Sequence, residues 1–493
     1  MTSIVSPSVA SVAVPRRRRS VSRVLPGGGP YLALLPVVVV LAAAVVDVIF
    51  QDPETGPLGI YGPLVALAGL AIVCWKKIRA TSPLFLAVFV CSYLNYVLGV
   101  TARLSIGRLP VNIVDIAVLV ALVAELFRSR VPVEWDETSQ RTALTILIVM
   151  AVLLPAFVTG VAINGPYEAF RDFRPFLFIA IAFFLTRRHI ASTAVSQFLL
   201  HTMILAGMYS MAMAVLSRAQ RLPAAERYLD LRVIGYATPT LDFAFVMAVA
   251  FVICGQSIFR GRWAMRAFFV LAIAAGVFSF SLTWYTMLLI VPALCVFFAP
   301  VRQSRKLAIV LIAAAVGFVA VSVATLVSSR LANELLGIVN QVVSQYGNLS
   351  SSVHVESRFA TWTAALALVP GIRLVTGVGM GTHVFFDTGI PEIGVVVAGE
   401  PTYGNYLIAS GLIGVAALLW LQTRLVRVSL SRIRASATGY QKAIRLGLVV
   451  YGLTIVINSF IHNNFMTPQL SFLFGVLLAI GSRGDNAQQT ARV

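Results

Sequence analysis

A chain of 493 residues that is 59% hydrophobic and only 12% charged, with a mean hydropathy of +0.89, carries more apolar surface than a water-soluble core can cover. Its formal charge of +19 therefore belongs to a membrane protein, where anionic headgroups and topology account for it before nucleic acid does. Runs such as 31–50, 307–327 and 444–461 are too long for barrel strands, so the fold class is all-α and polytopic.

Residues 1–30, rich in Ser, Pro, Gly and Arg, read as a disordered basic tail, with no cleavage pattern of a signal peptide behind it. Apolar runs then place spans near 31–50, 58–75, 83–101, 109–127, 142–163, 174–186 and 194–216. Others follow near 239–258, 267–281, 283–299, 307–328, 403–423, 444–461 and 465–481. That is about fourteen transmembrane helices, or twelve to thirteen if the short pair 267–281 and 283–299 is merged or re-entrant. The domains are thus the tail, a transmembrane bundle over 31–328, a long extracytoplasmic loop over 329–402, three C-terminal spans over 403–481 and a cytoplasmic tail over 482–493.

Charge gives an independent check. With the N-terminus in the cytoplasm, Arg16 to Arg19, Lys76, Lys77, Arg187, Arg188, Arg302, Lys306 and the basic run over 424–445 all fall inside, a positive-inside pattern with both termini cytoplasmic. Cys74, Cys91, Cys254 and Cys295 lie within or at the ends of spans without metal-ligand spacing, so neither disulfides nor a metal centre is expected.

The segment between the spans ending near 327 and beginning near 403 is about seventy-five residues long, a functional element and not a connector. Within it Leu331, Leu335, Val339, Val342 and Tyr346 recur at helical spacing, predicting a helix at the membrane surface. A second short helix is expected from Glu356 to Val369, ended by Pro370 and Gly371. The strip TGVGMGT, Thr376 to Thr382, then reads as turns that return the chain to the bilayer.

All four lysines lie on the cytoplasmic side of this map, and the outward cations are arginines, whose forked guanidinium suits phosphate oxygens. Arg171 and Arg174 stand at the mouth of the sixth span, with Asp172 between them able to orient one; the bland alternative is headgroup anchoring or pairing with Glu168. Arg232, before the eighth span, has the same two readings. In SSVHVESRFATW, His354 or Glu356 could assist proton transfer and Arg358 could hold a diphosphate, against a plain helix-capping role. His383, Asp387, Glu392 and Glu400 follow the glycine strip, and Glu400, at the mouth of the next span, is the best placed of them as a base. Asp115 is expected to pair with Arg103 or Arg108, and Asp242 to line a cavity from the outer end of its helix.

The order ESRFATWTAALALVPG, then TGVGMGTH, then NYLIASGLIGVAALLW, with NIVDIAVLVALVAELF as an early helix, resembles the O-antigen ligase and polymerase superfamily. That resemblance covers about an eighth of the chain by motif. It implies a bacterial cytoplasmic-membrane enzyme: an inverting, metal-independent glycosyltransferase without cofactor. Such an enzyme moves a glycan from a polyprenyl-diphosphate carrier to a glycan or glycolipid acceptor. On this resemblance Arg358, with Arg171 or Arg174, binds the diphosphate; by position Arg232 joins them, and His354, Glu356 and Glu400 are the catalytic candidates. Tyr403 and Asn405 of the return motif line the cavity together with His383 and Asp242. Two departures favour polymerase over ligase: the His expected just before Asn405 is absent, and SFSLTWYT stands where an SR motif is common. The main rival class is a flippase of lipid-linked sugars, against which stand the long outward loop and the lack of repeat halves. A metal-using transferase would need Asp52 and Glu54, on a connection too short to build a site.

Overall fold

The computed structural model describes residues 30–49, 61–93, 103–106, 109–127, 135–189, 193–221, 238–258, 262–278, 282–300, 353–387, 395–397, 401–436, 438–461 and 467–483. The expected span 307–328 and the surface helix around 331–346 lie outside them, as do Arg232, Glu392, Glu400 and His462.

The described chain is helical apart from two short antiparallel hairpins. Its helices are α1 Pro30–Ile49, α2 Tyr61–Tyr93, α3 Ile113–Leu126, α4 Glu137–Asn164, α5 Pro166–His189, α6 Thr193–Arg221 and α7 Thr238–Ile253. They continue with α8 Arg262–Phe278, α9 Leu282–Phe298, α10 Val353–Leu368, the single turn α11 Arg373–Thr376, α12 Thr402–Ile433, α13 Gly439–Ile461 and α14 Pro468–Ser482. Strands β1 Arg103–Ile106 and β2 Leu109–Asn112 form one hairpin, and β3 Phe385–Asp387 and β4 Val395–Val397 the other. The helix expected from 109 therefore starts only at Ile113, because Leu109–Asn112 is taken up by strand pairing.

Helices suit this composition because each satisfies its own backbone groups where no water reaches. Three of them, Glu137–Asn164, Thr402–Ile433 and Gly439–Phe460, are long and apolar enough to cross a membrane, and shorter apolar helices surround them. The apolar stretch of α4 is mostly uncovered, with Leu144, Leu147, Leu154, Val158 and Ile163 exposed, the pattern of a helix whose outer face meets lipid. By contrast α14 is buried along its whole length and packs on α5, so closely that Gly475 meets the Ile179 carbonyl. Around this pair, α4 lies on α5, α12 on α13 and α4, α13 on α7, and α6 on α7, α1 and α2.

Two long helices are broken. Non-helical angles at Cys74 divide α2, as expected from separate spans at 58–75 and 83–101. In α12 the break is at Gly411, with φ 67° and ψ −164°, inside what reads as a single span at 403–423. The Tyr403 hydroxyl bonds Gln422 Oε1, 19 residues on, whereas a straight helix would hold the two about 28 Å apart. The short arm 402–410 is therefore folded back along the long arm 412–433. Gln422 Nε2 continues the chain to Ser459 Oγ of α13 at 3.0 Å.

One end of the bundle is basic and knotted by ion pairs. Arg187 and Arg432 both reach Asp136, at 3.5 and 2.8 Å, and Arg188 and His189 reach buried Glu125 at 2.7 and 2.8 Å. Arg445 donates to the last carbonyls of α14, at Ile480 and Gly481, and to Arg483 O, the capping a helix C-terminus favours. Burial alone would raise the Asp136 pKa, but the Ser139 hydroxyl and the Arg432 and Arg187 guanidiniums outweigh it and hold the carboxyl below its usual range. A carboxyl lowered in the folded state contributes stability above its unfolded pKa, about 4, and loses it as the pH falls through the lower folded value. Asp136→Asn is thus expected to cost up to about 1 kcal/mol at pH 7, since the group is partly solvated, and less with each step into acid. Unfolding temperatures in detergent from pH 7 to pH 3 check this: the gap between wild type and variant should narrow towards acid, and a constant gap would rule the pairing out as its source.

Candidate functional site

At the opposite end of α4 and α5 the glycine strip is drawn into the bundle. Residues 377–382 run between α4, the start of α5 and the break of α12, with a bend at Val378 and a turn at Met380 and Gly381. The break explains the docking. Reversal at Gly411 leaves Ile408 and Ala409 without the amides four residues on, and Val378 N and Gly379 N take their carbonyls at 2.8 and 3.0 Å. Met380 N bonds Ala156 O at 3.0 Å, and Asn164 Nδ2 holds both Met380 O and Thr382 Oγ1 at 2.9 Å.

Only glycine fits these approaches. Gly379 and Gly381 have φ of 125° and 83°, and a Cβ on Gly381 would lie 2.6 Å from the Glu168 carbonyl carbon. Gly160 of α4 leaves no room either, because its Cβ would sit 2.7 Å from Met380 N. The three strip glycines, spaced by two, mark a turn-bearing segment pressed against other backbone on several sides.

The strip delivers polar groups to the first turns of α5. Asp172 is 1% exposed, and its Oδ2 accepts the Gly381 amide at 2.7 Å. Its backbone carbonyl accepts the Tyr406 hydroxyl at 3.1 Å, and the Tyr406 ring stands edge-on to Phe176. His383, two residues past Gly381, brings Nε2 to 3.5 Å from Asp172 Oδ1, and neither atom has a hydrogen-bond partner although both are buried.

The two arginines of α5 differ in their commitments. Arg174 Nη1 bonds both oxygens of Asp115 at 3.2 and 3.1 Å, a partner that the sequence pattern did not name, while Arg108 lies outside the described residues. That pair is about a fifth exposed, against 38% and 36% for Arg171 and Glu168, paired at 2.8 Å. An ion pair as solvated as the second contributes about 0–1 kcal/mol and exchanges readily for a stronger anion. The less exposed two-oxygen contact of Arg174 is the costlier one to break.

Of the residues expected from sequence, Arg171 and His383 come together here on Asp172, whereas Arg174 pairs with Asp115. Tyr403 and Asn405 lie on the short arm of α12 and are buried, Tyr403 edge-on to Phe460 at 4.5 Å. Asp242 is not brought to this cluster: it is buried on α7, beside Tyr451 of α13, and no hydrogen bond or ion pair ties it to the strip. His354, Glu356 and Arg358 occupy the first turns of α10, which is tied to the end of α13 by Trp362 Nε1 on Phe460 O at 3.3 Å and packs Ala365 on Ile408 of the short arm. Sequence reasoning missed Asn164 and Tyr406, and the only signal for the first was its place in the Asn164, Gly165, Pro166 corner. Among the described residues no group of His, Cys, Asp and Glu could hold a metal ion. Comparison with known protein families, with curated proteins and with solved structures finds no match for this chain.

Proposed function

We propose that the chain is a membrane glycosyltransferase that lengthens or transfers glycans from polyprenyl-diphosphate carriers. In this proposal about fourteen spans cross a bacterial cytoplasmic membrane, both termini are cytoplasmic, and the strip end faces outward. The observation that carries the reading is the meeting of Arg171 and His383 on Asp172, beside a non-helical strip sunk among helices. Irregular backbone at that depth is tolerated where it is enclosed by protein, and it is a recurrent way to build a polar site in a membrane. The positive-inside rule supports the orientation, since Arg187, Arg188, Arg424, Arg432 and Arg445 gather at the other end.

In chemical terms, Arg171 exchanges its loose pairing with Glu168 for the diphosphate of the donor, assisted by Arg358 from α10. Arg174, fixed by Asp115, holds the first turns of α5 in place. Guanidinium contacts strengthen as charge builds on the departing diphosphate, which lowers the barrier without a metal.

The test is glycan transfer from a purified undecaprenyl-diphosphate-linked oligosaccharide in liposomes containing the pure protein, with a glycolipid acceptor. Wild type should yield lengthened or transferred product. Arg171→Ala and Arg358→Ala should each lower kcat/KM about 100-fold. A wild type that makes no product, or only moves the lipid between leaflets, would remove the transferase reading.

A further inference from the structure

Resting on the transferase reading, we infer that His383 is the catalytic base for the acceptor hydroxyl and that Asp172 is its positioning residue. Asp172 has two oxygens with different tasks. Oδ2 is engaged by the Gly381 amide at 2.7 Å, which fixes the carboxylate plane, while Oδ1 faces His383 Nε2 at 3.5 Å and has no hydrogen bond. A buried carboxylate oxygen is rarely left in that condition, and a contact this long closes to a hydrogen bond when substrate orders the site. With Nε2–H given to Asp172, the lone pair of the ring is on Nδ1, and the His383 side chain is 26% exposed, enough to meet a substrate.

The strip conformation exists to make this pair. A φ of 83° at Gly381 turns its amide into Asp172 and carries His383 back over the same carboxylate. The charged and titratable groups around the pair are Arg171, with Nε 4.0 Å from Oδ1, Glu168 against Gly381, and Tyr406 on the Asp172 carbonyl. Arg174 and Asp115 neutralise each other on the adjoining turn.

In the step, the acceptor oxygen forms a bond to the anomeric carbon of the donor sugar. The bond from that carbon to the diphosphate oxygen breaks, and its electron pair leaves on the diphosphate. The hydroxyl proton passes to His383 Nδ1, and the resulting imidazolium is balanced by Asp172 until water takes the proton. Attack opposite the leaving group inverts the anomeric centre.

The test uses the same liposomes and the same undecaprenyl-diphosphate-linked oligosaccharide, with kcat and donor KM measured for His383→Gln, Asp172→Asn, the double variant, and Asn164→Ala as a second anchor of the strip. His383→Gln, which breaks no hydrogen bond, should lower kcat about 100- to 10,000-fold and leave donor KM within about twofold. Asp172→Asn, which keeps an acceptor for the Gly381 amide, should lower kcat about 10- to 100-fold, and the double variant should be no slower than His383→Gln alone. Asn164→Ala should instead multiply with His383→Gln, as a purely structural anchor does. Should wild type turn over while His383→Gln retains more than about a tenth of its kcat, or should the effects of His383 and Asp172 multiply, the pairing is wrong and the transferase reading stands. An inactive wild type removes both.

Discussion

Gly411→Ala is expected to destabilise the protein by about 3–5 kcal/mol and to lower its unfolding temperature in detergent far more than Gly165→Ala. Both glycines occupy the region of backbone space that only glycine enters freely, with φ of 67° and 86°. A side chain at either position therefore carries a strain of about 1–3 kcal/mol. Their surroundings differ. No described residue lies within 4 Å of a Cβ at Gly165, whereas at Gly411 it would run into the Val375 carbonyl and Thr376 N of the segment leading to the strip. That neighbour is backbone and cannot rotate aside, so about 2 kcal/mol of overpacking is added. Equal losses in the two variants would mean that the strip does not dock on the break.

Arg174→Ala should cost about 1–3 kcal/mol, and most of the loss should return when Asp115 is changed to Asn in the same protein. Removing the guanidinium leaves a carboxylate about a fifth exposed with its two 3.1–3.2 Å contacts gone. A carboxylate that loses its two-oxygen contact costs more than the pair contributes, so deleting the second charge restores stability although no contact is regained. Arg171→Ala, at 38% exposure, should shift the unfolding temperature little and act on transfer instead. Thermal unfolding of the four proteins decides it. A double variant weaker than Arg174→Ala would show that the pair holds the helices by more than charge.

Helix existence was legible because lipid imposes a simple rule on composition: runs such as 31–50 and 142–163 appear as α1 and α4 with small shifts of their ends. The break in α12 was not. Its sequence, NYLIASGLIGVAALLW, is apolar on both sides of Gly411, and hydropathy cannot separate one span from two arms folded together. What decides between them is where the freed carbonyls of Ile408 and Ala409 find donors, and those lie some thirty residues earlier, in the strip.

The site was legible in part for the same reason. Arg171 and Arg174 stand out by charge at the start of an apolar helix, and the glycine strip stands out by composition. Their meeting depends on a buried hydrogen bond between Asp172 and the Gly381 amide across 209 residues, which no local pattern announces. Asp172 stood out only as a neighbour of the arginines, yet it is the group on which strip, α5 and α12 converge.

The exchange of hydrogen bonds between strip and broken helix limits how this end of the protein can change shape. Lifting residues 377–380 away would strand the Ile408 and Ala409 carbonyls together with three amides, in surroundings where each orphan costs several kcal/mol. Strip and short arm must therefore travel as one rigid piece, so under the proposed transfer activity an acceptor cannot enter by lifting the strip alone.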